Sequence, residues 1–330
     1  MPELPDLVRV ERVLRQVMVG KRVTAARLGD PTVLRVMVPE PFPGILVGGL
    51  VSTVDRRGHF MRFAFARPAG DQLVLVVNAM LVGRYKVLGA GEGTREKDPT
   101  ALGFALVFDD GSELRYIDDK RMGKVYVAHT ADEGRIPVYA ELGIDVLSPS
   151  FDRTFFRALA RKRRDQVRMF LMDKRALASI GNAYADEILF AAGIHPKTFM
   201  RQLNDDDLDR LFVAIGQVLR HAVAVIQSRA QPVEVKVRDF LAVRGRDGKP
   251  CPVCGTTIRA VRVGDGDACF CPTCQPTTRR LFVNWERLPS PAVEPVSAPA
   301  PAPPPAAGGK APRPRRSPRS ASRRRAPSGS

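Results

Sequence analysis

The chain has 330 residues, 44% of them hydrophobic and 26% charged, and 52 Lys+Arg against 35 Asp+Glu leave it at +17 with neutral histidines. That is length enough for two or three domains with real cores, and no apolar run approaches the roughly 20 residues a bilayer-spanning helix needs. All five cysteines fall between 251 and 274, which argues against a secreted disulfide scaffold, and a pI near 10.3 points to a polyanionic partner, nucleic acid first and an acidic membrane surface second.

The N-terminus, MPELPDLVRVERVL, carries acids and arginines where a signal peptide needs an apolar stretch. Leu7, Val10, Leu14 and Val17 recur at helical spacing. From Arg22 to Val127 the pattern becomes strand-like, with runs such as LVLVV (73–77) and ALVF (105–108) separated by Gly, Pro and Asp turns. A β-sandwich or barrel led by one helix is expected there. LGIDVLSPSF (142–151) marks a boundary, after which helical periodicity dominates: Phe155, Phe156 and Leu159; Val167, Phe170 and Leu171; Leu208, Leu211, Ile215 and Leu219. Cys251-x2-Cys254 and Cys271-x2-Cys274 then enclose a 16-residue loop that reads as a hairpin, a spacing suited to one tetrahedral zinc ion. Four thiolates leave no open coordination position, so such a site is structural; Cys269 is left as a buried free thiol. Residues 288–330 shift to Pro, Ala, Ser and Arg, with 12 of the 28 prolines and eight basic residues against Glu294 alone. This segment carries +7, leaves +10 to residues 1–287, and reads as a disordered tail, either a phosphate-binding arm or a solvated linker.

Five segments, in order, carry a resemblance: PELP at 2–5, VNAMLVGRYKV at 77–87, RYIDDKRMG at 115–123, LMDKRALASIGNAYADEILFAAGIHP at 171–196, and the four-cysteine finger. Together they resemble the formamidopyrimidine-DNA glycosylase/endonuclease VIII family of base-excision-repair enzymes, and PELP looks more like the formamidopyrimidine branch. The resemblance covers residues 1–287. It implies an α+β multidomain chain: an N-terminal catalytic β-sandwich with a leading helix (1–132), an interdomain linker (133–150), a helix–two-turns–helix DNA-binding domain (151–246), a zinc finger (247–287) and the tail (288–330).

Removal of Met1 would expose Pro2 as a secondary amine, and an α-amino group with a pKa of about 7.7–8.0 is partly unprotonated near neutrality. Glu3, next in the chain, can move protons at the sugar and around the Schiff base. Gly181 and Asn182 match the helix–two-turns–helix motif, where backbone N–H groups at a helix start suit a phosphate, and Arg168 extends the basic surface. Asp186 and Glu187 read as structural. Leu81, Lys120 and Met122 match the residues that fill the hole left by an extruded nucleotide; core packing is the alternative for Leu81 and Met122. Two positions depart from the family. Its hairpin lysine aligns with His59, partly cationic near neutrality and flanked by Arg56 and Arg57, which could help neutralise phosphate. Its finger arginine aligns with Gly266, with Arg262 as a substitute from another angle.

The implied function is a monomeric glycosylase/AP lyase acting on oxidised purines (8-oxoguanine, formamidopyrimidines) or abasic sites in duplex DNA, with one structural zinc ion, in the cytoplasm at the nucleoid. The competing reading is a weakened relative that binds duplex DNA without turnover. PELP and Asn182 favour the enzyme; His59 and Gly266 favour the binder.

Overall fold

The structure is a computed structural model, and it describes residues 2–92 and 101–277. Helix α1 (Leu4–Met18) begins where Pro5 presets the first turn and the Glu3 N–H is taken up by the Asp6 carboxylate at 2.9 Å. Its buried side chains divide between two cores. Leu7, Val10, Leu14 and Met18 join the β-rich core, whereas Leu4 joins the helical one. The residues preceding α1 are thereby held between both.

The strands form two sheets, a sandwich rather than a closed barrel. One runs β1 (Val23–Leu28), β7 (Leu102–Phe108), β8 (Glu113–Ile117), β6 (Arg84–Leu88); the other runs β2 (Leu34–Val36), β9 (Lys124–His129), β5 (Gln72–Asn78), β4 (Phe60–Ala66), β3 (Leu50–Arg57). Val54, Phe63, Leu75, Val77 and Val127 from the second sheet meet Phe104, Leu106, Leu114 and Tyr116 from the first. The LVLVV run is apolar on both faces of β5 for a reason: Val74 and Val76 point away from that core and pack with Ile136 and Tyr139. The chain crosses between sheets at β5–β6 and again at β8–β9. Asn78 pairs with Lys124 and Arg84 with Ile117, so both crossings lie at one end of the sandwich.

Beyond the boundary, β10 (Ile144–Asp145) pairs in parallel with β11 (Leu177–Ala178). Around this pair pack α2 (Arg153–Arg161), α3 (Val167–Met172), α4 (Asn182–Ala192) and α5 (Asp205–Ser228). Helix α5 is capped reciprocally, since the Asn204 side chain accepts from the Asp207 N–H at 2.8 Å and the Asp207 carboxylate from the Asn204 N–H at 3.1 Å. It is long and apolar enough to cross a membrane by composition, but Leu208, Leu211, Ile215 and Leu219 make it a core helix. The finger hairpin is β12 (Arg259–Val263) and β13 (Gly266–Phe270), with Cys251 and Cys254 before it and Cys271 and Cys274 after. The tail proposed for 288–330 lies outside the described residues.

Candidate active site and DNA-facing surface

Pro2 is buried just before α1 and lines a small cleft together with Asp6, Arg9, Arg84, Tyr85, Glu234 and Lys236. Glu3 follows it in the chain. Its carboxylate accepts the backbone N–H groups of Gly181 at 3.2 Å, Ala183 at 3.0 Å and Tyr184 at 3.2 Å. These are the unpaired amides at the start of α4, where the helix dipole favours negative charge. Gly181 is required by close approach: a Cβ there would stand 2.5 Å from Glu3 Cδ. Burial raises the Glu3 carboxyl above its usual range, while the N–H groups of Ala183 and Tyr184 and the charge of Arg238 pull it back. Arg238 holds Asp6 (Nη1–Oδ1 2.8 Å) and lies over the Tyr184 ring at 5.3 Å. Sequence expectation assigned the α4 amides to a phosphate. The structure gives three of them, including that of Gly181, to Glu3.

Asn182 is exposed at the first turn of α4, and its Oδ1 accepts from Arg168 Nη2 at 2.8 Å, so its free face is the amide donor. Arg168 is not a surface cation. It is fully buried, donating to Asp186 Oδ1 at 2.8 Å and to the Asp267 carbonyl at 3.1 Å. It therefore orients Asn182 and joins α4 to the finger. Asp186 also accepts from Arg244 and the Cys269 N–H, and Glu187 accepts the N–H groups of Ala242, Val243 and Arg244. Both acids are structural, as their position suggested.

Leu81 and Met122 are 46% and 43% exposed, and Lys120 is exposed as well. They occupy the two neighbouring crossings. In the first, Asn78 Oδ1 accepts the Met80 N–H at 3.0 Å and Met80 takes φ +46°; in the second, Asp118 accepts the Lys120 N–H at 3.2 Å and Arg121 takes φ +53°. Left-handed backbone at non-glycine residues beside each projecting side chain fixes how it projects. Core packing is excluded for this pair.

His59 sits in the two-residue turn between β3 and β4. Gly58, at φ +59°, must lack a side chain, since a Cβ would meet Leu142 at 2.8 Å and Ala178 at 3.4 Å. The hairpin thus seats on the β10–β11 region. His59 is 4% exposed, its Nδ1 has no partner among the described residues, and burial, with the nearby charge of Lys174, pushes its pKa down to about 3.

In the finger, Cys251 Sγ lies 3.9 Å from Cys274 Sγ, Cys254 Sγ lies 3.4 Å from Cys271 Sγ, and all four sulfurs fall within 4.8 Å of one another. A tetrahedron with Zn–S of about 2.3 Å requires sulfurs about 3.8 Å apart. The donor set fits zinc.

Three family models match the chain: the formamidopyrimidine-DNA glycosylase N-terminal domain over residues 1–125, the formamidopyrimidine-DNA glycosylase H2TH domain over 142–232, and the zinc finger found in FPG and IleRS over 248–277. The formamidopyrimidine-DNA glycosylase of Exiguobacterium sibiricum is 34% identical over 281 residues, covering 83% of this chain and 99% of the relative. That of Geobacillus kaustophilus is 33% identical over 282 residues, covering 83% and 100%. The chain belongs to the formamidopyrimidine-DNA glycosylase family. Among solved structures, the Lactococcus lactis Fpg in complex with abasic-site DNA is similar at a TM-score of 0.72 and 26% identity, covering 84% of this chain and 100% of that one. The same Lactococcus protein with DNA containing N7-benzyl-Fapy-dG matches equally.

As in the glycosylase family's finger, Cys251, Cys254, Cys271 and Cys274 hold one structural zinc ion. Against the family pattern, the structure changes two expectations. His59 is neutral across the physiological range, not partly cationic. Arg56 does not stand in for the missing lysine, being paired with Asp145 and bonded to the Gly58 carbonyl at 3.1 Å; Arg57 is exposed and lies over Tyr139 at 5.0 Å. At the finger tip, exposed Arg262 faces Asp267 at 3.7 Å, whereas Arg168 Nη1 lies 3.9 Å from where a Cβ on Gly266 would stand. Buried Arg168 lies beneath the vacated arginine position, and Arg262 stands exposed on the facing strand. Sequence reasoning missed Asp6, Arg238 and the cleft residues Arg9, Arg84, Glu234 and Lys236. Asp6 had a signal, an acid at the third position after Glu3; Arg238 had none, since its partner is 232 residues away.

Proposed function

We propose that Pro2, freed by removal of Met1, is the nucleophile of this glycosylase and that oxidised purines and abasic sites are its substrates. The activity class is that of the family: a base-excision-repair DNA glycosylase that hydrolyses N-glycosyl bonds, with AP lyase activity, acting on damaged duplex DNA. The observation that carries the reading is the pairing of Pro2, lining a cleft at the head of α1, with a Glu3 carboxyl held by three backbone N–H groups.

The Pro2 lone pair forms a bond to C1′ as the glycosidic bond breaks, and the electron pair of that bond leaves with the base, which takes up a proton. Glu3 takes up the N–H proton that Pro2 sheds on bonding to C1′ and passes it to O4′ as the sugar opens and the nitrogen–carbon bond becomes an iminium; burial, which raises its carboxyl, favours holding that proton. Glu3, again a carboxylate, takes a C2′ proton, and the C–H pair converts the iminium to an enamine. Its C1′–C2′ pair then shifts to C2′–C3′, the iminium re-forms and the 3′ phosphate is expelled, which cuts the strand. Exposed Leu81 and Met122 fill the vacated stack and Lys120 faces the orphan base. Asn182 donates to a phosphate, with Arg168 as its support. Arg262 contributes exposed charge from the finger. A cytoplasmic location fits the bacterial relatives, and association with the nucleoid follows from duplex binding.

Single-turnover assays on matched 8-oxoguanine and abasic duplexes test the reading. Release of the oxidised base together with strand cleavage is expected. Tight duplex binding with neither activity would leave the non-catalytic relative standing.

A further inference from the structure

An N-terminal amine is tethered to its protein by a single planar peptide, so whatever holds that peptide aims the lone pair. For Pro2 the tether is the peptide to Glu3, whose N–H donates to Asp6 Oδ2 at 2.9 Å. Asp6 is held in turn by Arg238. Nη1 donates to Oδ1 at 2.8 Å and Nη2 donates to Oδ2, a two-pronged pairing that fixes the plane of the carboxylate as well as its charge. Asp6 is buried, so its charge depends on that partner. Arg238 reaches the other half of Glu3 too. It lies over the Tyr184 ring at 5.3 Å, and the Tyr184 N–H donates to Glu3 Oε2 at 3.2 Å. Backbone and carboxylate of Glu3 are thereby closed into one ring of contacts through Asp6, Arg238 and Tyr184. The guanidinium belongs to the stretch after α5 whose Val233, Glu234, Val235 and Lys236 line the cleft beside Pro2, and its Nη1 also donates to the Val237 carbonyl at 2.9 Å.

We propose that Arg238 is a positioning residue of the reaction: through Asp6 it fixes the peptide that carries the Pro2 amine, and so sets the nucleophile against the wall of the cleft. This rests on the reading of Pro2 as nucleophile. Arg238 supplies orientation rather than contact with the sugar, and misplacing a reacting group by about 1 Å costs on the order of 10²-fold in rate.

The test compares wild type, Arg238→Met, Arg238→Lys, Asp6→Asn and the double variant Arg238→Met/Asp6→Asn. Each is assayed on abasic duplex for equilibrium binding and for the single-turnover rate of borohydride trapping at saturating protein. Arg238→Met should slow trapping by roughly 10²-fold, while duplex affinity and its salt slope stay at wild-type values, as for a group that aims the amine without touching DNA. Arg238→Lys keeps the charge but not the two-pronged geometry, and its rate should fall between the two. Asp6→Asn should slow trapping as well, and the double variant should be no slower than the slower single variant, because the two side chains act as one unit. Should Arg238→Met fail to fold, Arg238→Lys and Asp6→Asn carry the same expectation of slower trapping at unchanged affinity. Wild-type trapping rates in these variants overturn the proposal. So does weaker binding with a flatter salt slope at an unchanged saturating rate, or losses in the single variants that multiply in the double one. Absence of any adduct with wild type would instead remove the amine mechanism, and this inference with it.

Discussion

At the scale of single residues, the structure separates groups that face DNA from groups that hold them. Arg168 belongs to the second kind, since its guanidinium is buried between Asp186, Asn182 and the finger. Breaking a buried pair by removing one partner typically costs about 3–5 kcal/mol. Arg168→Met should therefore lower the thermal midpoint markedly and weaken duplex binding together. A variant with full thermal stability and reduced affinity would mean that Arg168 meets phosphate directly. His59 makes a pH prediction. Its folded pKa, about 3, lies below the unfolded value of about 6.5, so the unfolded chain binds a proton first. Stability from this group is present above pH 6.5 and is lost as pH falls toward 3; His195, pushed down to about 4 by burial, adds to the same slope. His59→Met should flatten the fall of the thermal midpoint between about pH 6 and 4. A parallel curve for the two proteins would show that His59 is protonated in the native state.

At the scale of elements, the finger is held by its metal and by α4. Cys251→Ser and Cys271→Ser should each lose stoichiometric zinc, whereas Cys269→Ser should keep it, because Cys269 lies on β13 outside the four-sulfur cluster. Zinc retained by both of the first two variants would reassign the ligands. The finger was legible in the sequence because two CxxC pairs specify a metal by local spacing, and the leading helix because its apolar spacing is periodic. The sandwich was legible only as far as alternating runs go, since two sheets and a barrel share that pattern and differ in long-range pairing. The destination of the α4 amides was not legible. Gly181 and Asn182 announce a helix start, but Glu3 reaches them across 178 residues of sequence. Arg168 reads as surface charge because burial partners such as Asp186 and the Asp267 carbonyl come from other elements.

At the scale of the whole molecule, a net +17 is spread over the folded domains and the basic C-terminal stretch. Duplex affinity should fall steeply with salt, with a slope of about −0.9 for each phosphate neutralised. Removing residues 288–330 takes away +7, so it should lower affinity for undamaged DNA and flatten the slope. Gly266→Arg should steepen the slope by about one phosphate, because a Cβ there makes only ordinary van der Waals contacts, its nearest atoms being Asn182 Oδ1 at 3.5 Å and Arg168 Nη1 at 3.9 Å. An unchanged slope in the truncated chain would show that the tail does not reach the duplex. What joins these charges into an enzyme is the secondary amine at the head of α1. Borohydride reduction of the full-length protein on abasic duplex DNA, followed by peptide mapping of the adduct, reads that amine directly. The adduct should map to Pro2, fall strongly with Pro2→Gly, and vanish when an N-terminal extension consumes the amine. Equal trapping by the extended protein, or an adduct on a lysine, would contradict Pro2 as the nucleophile.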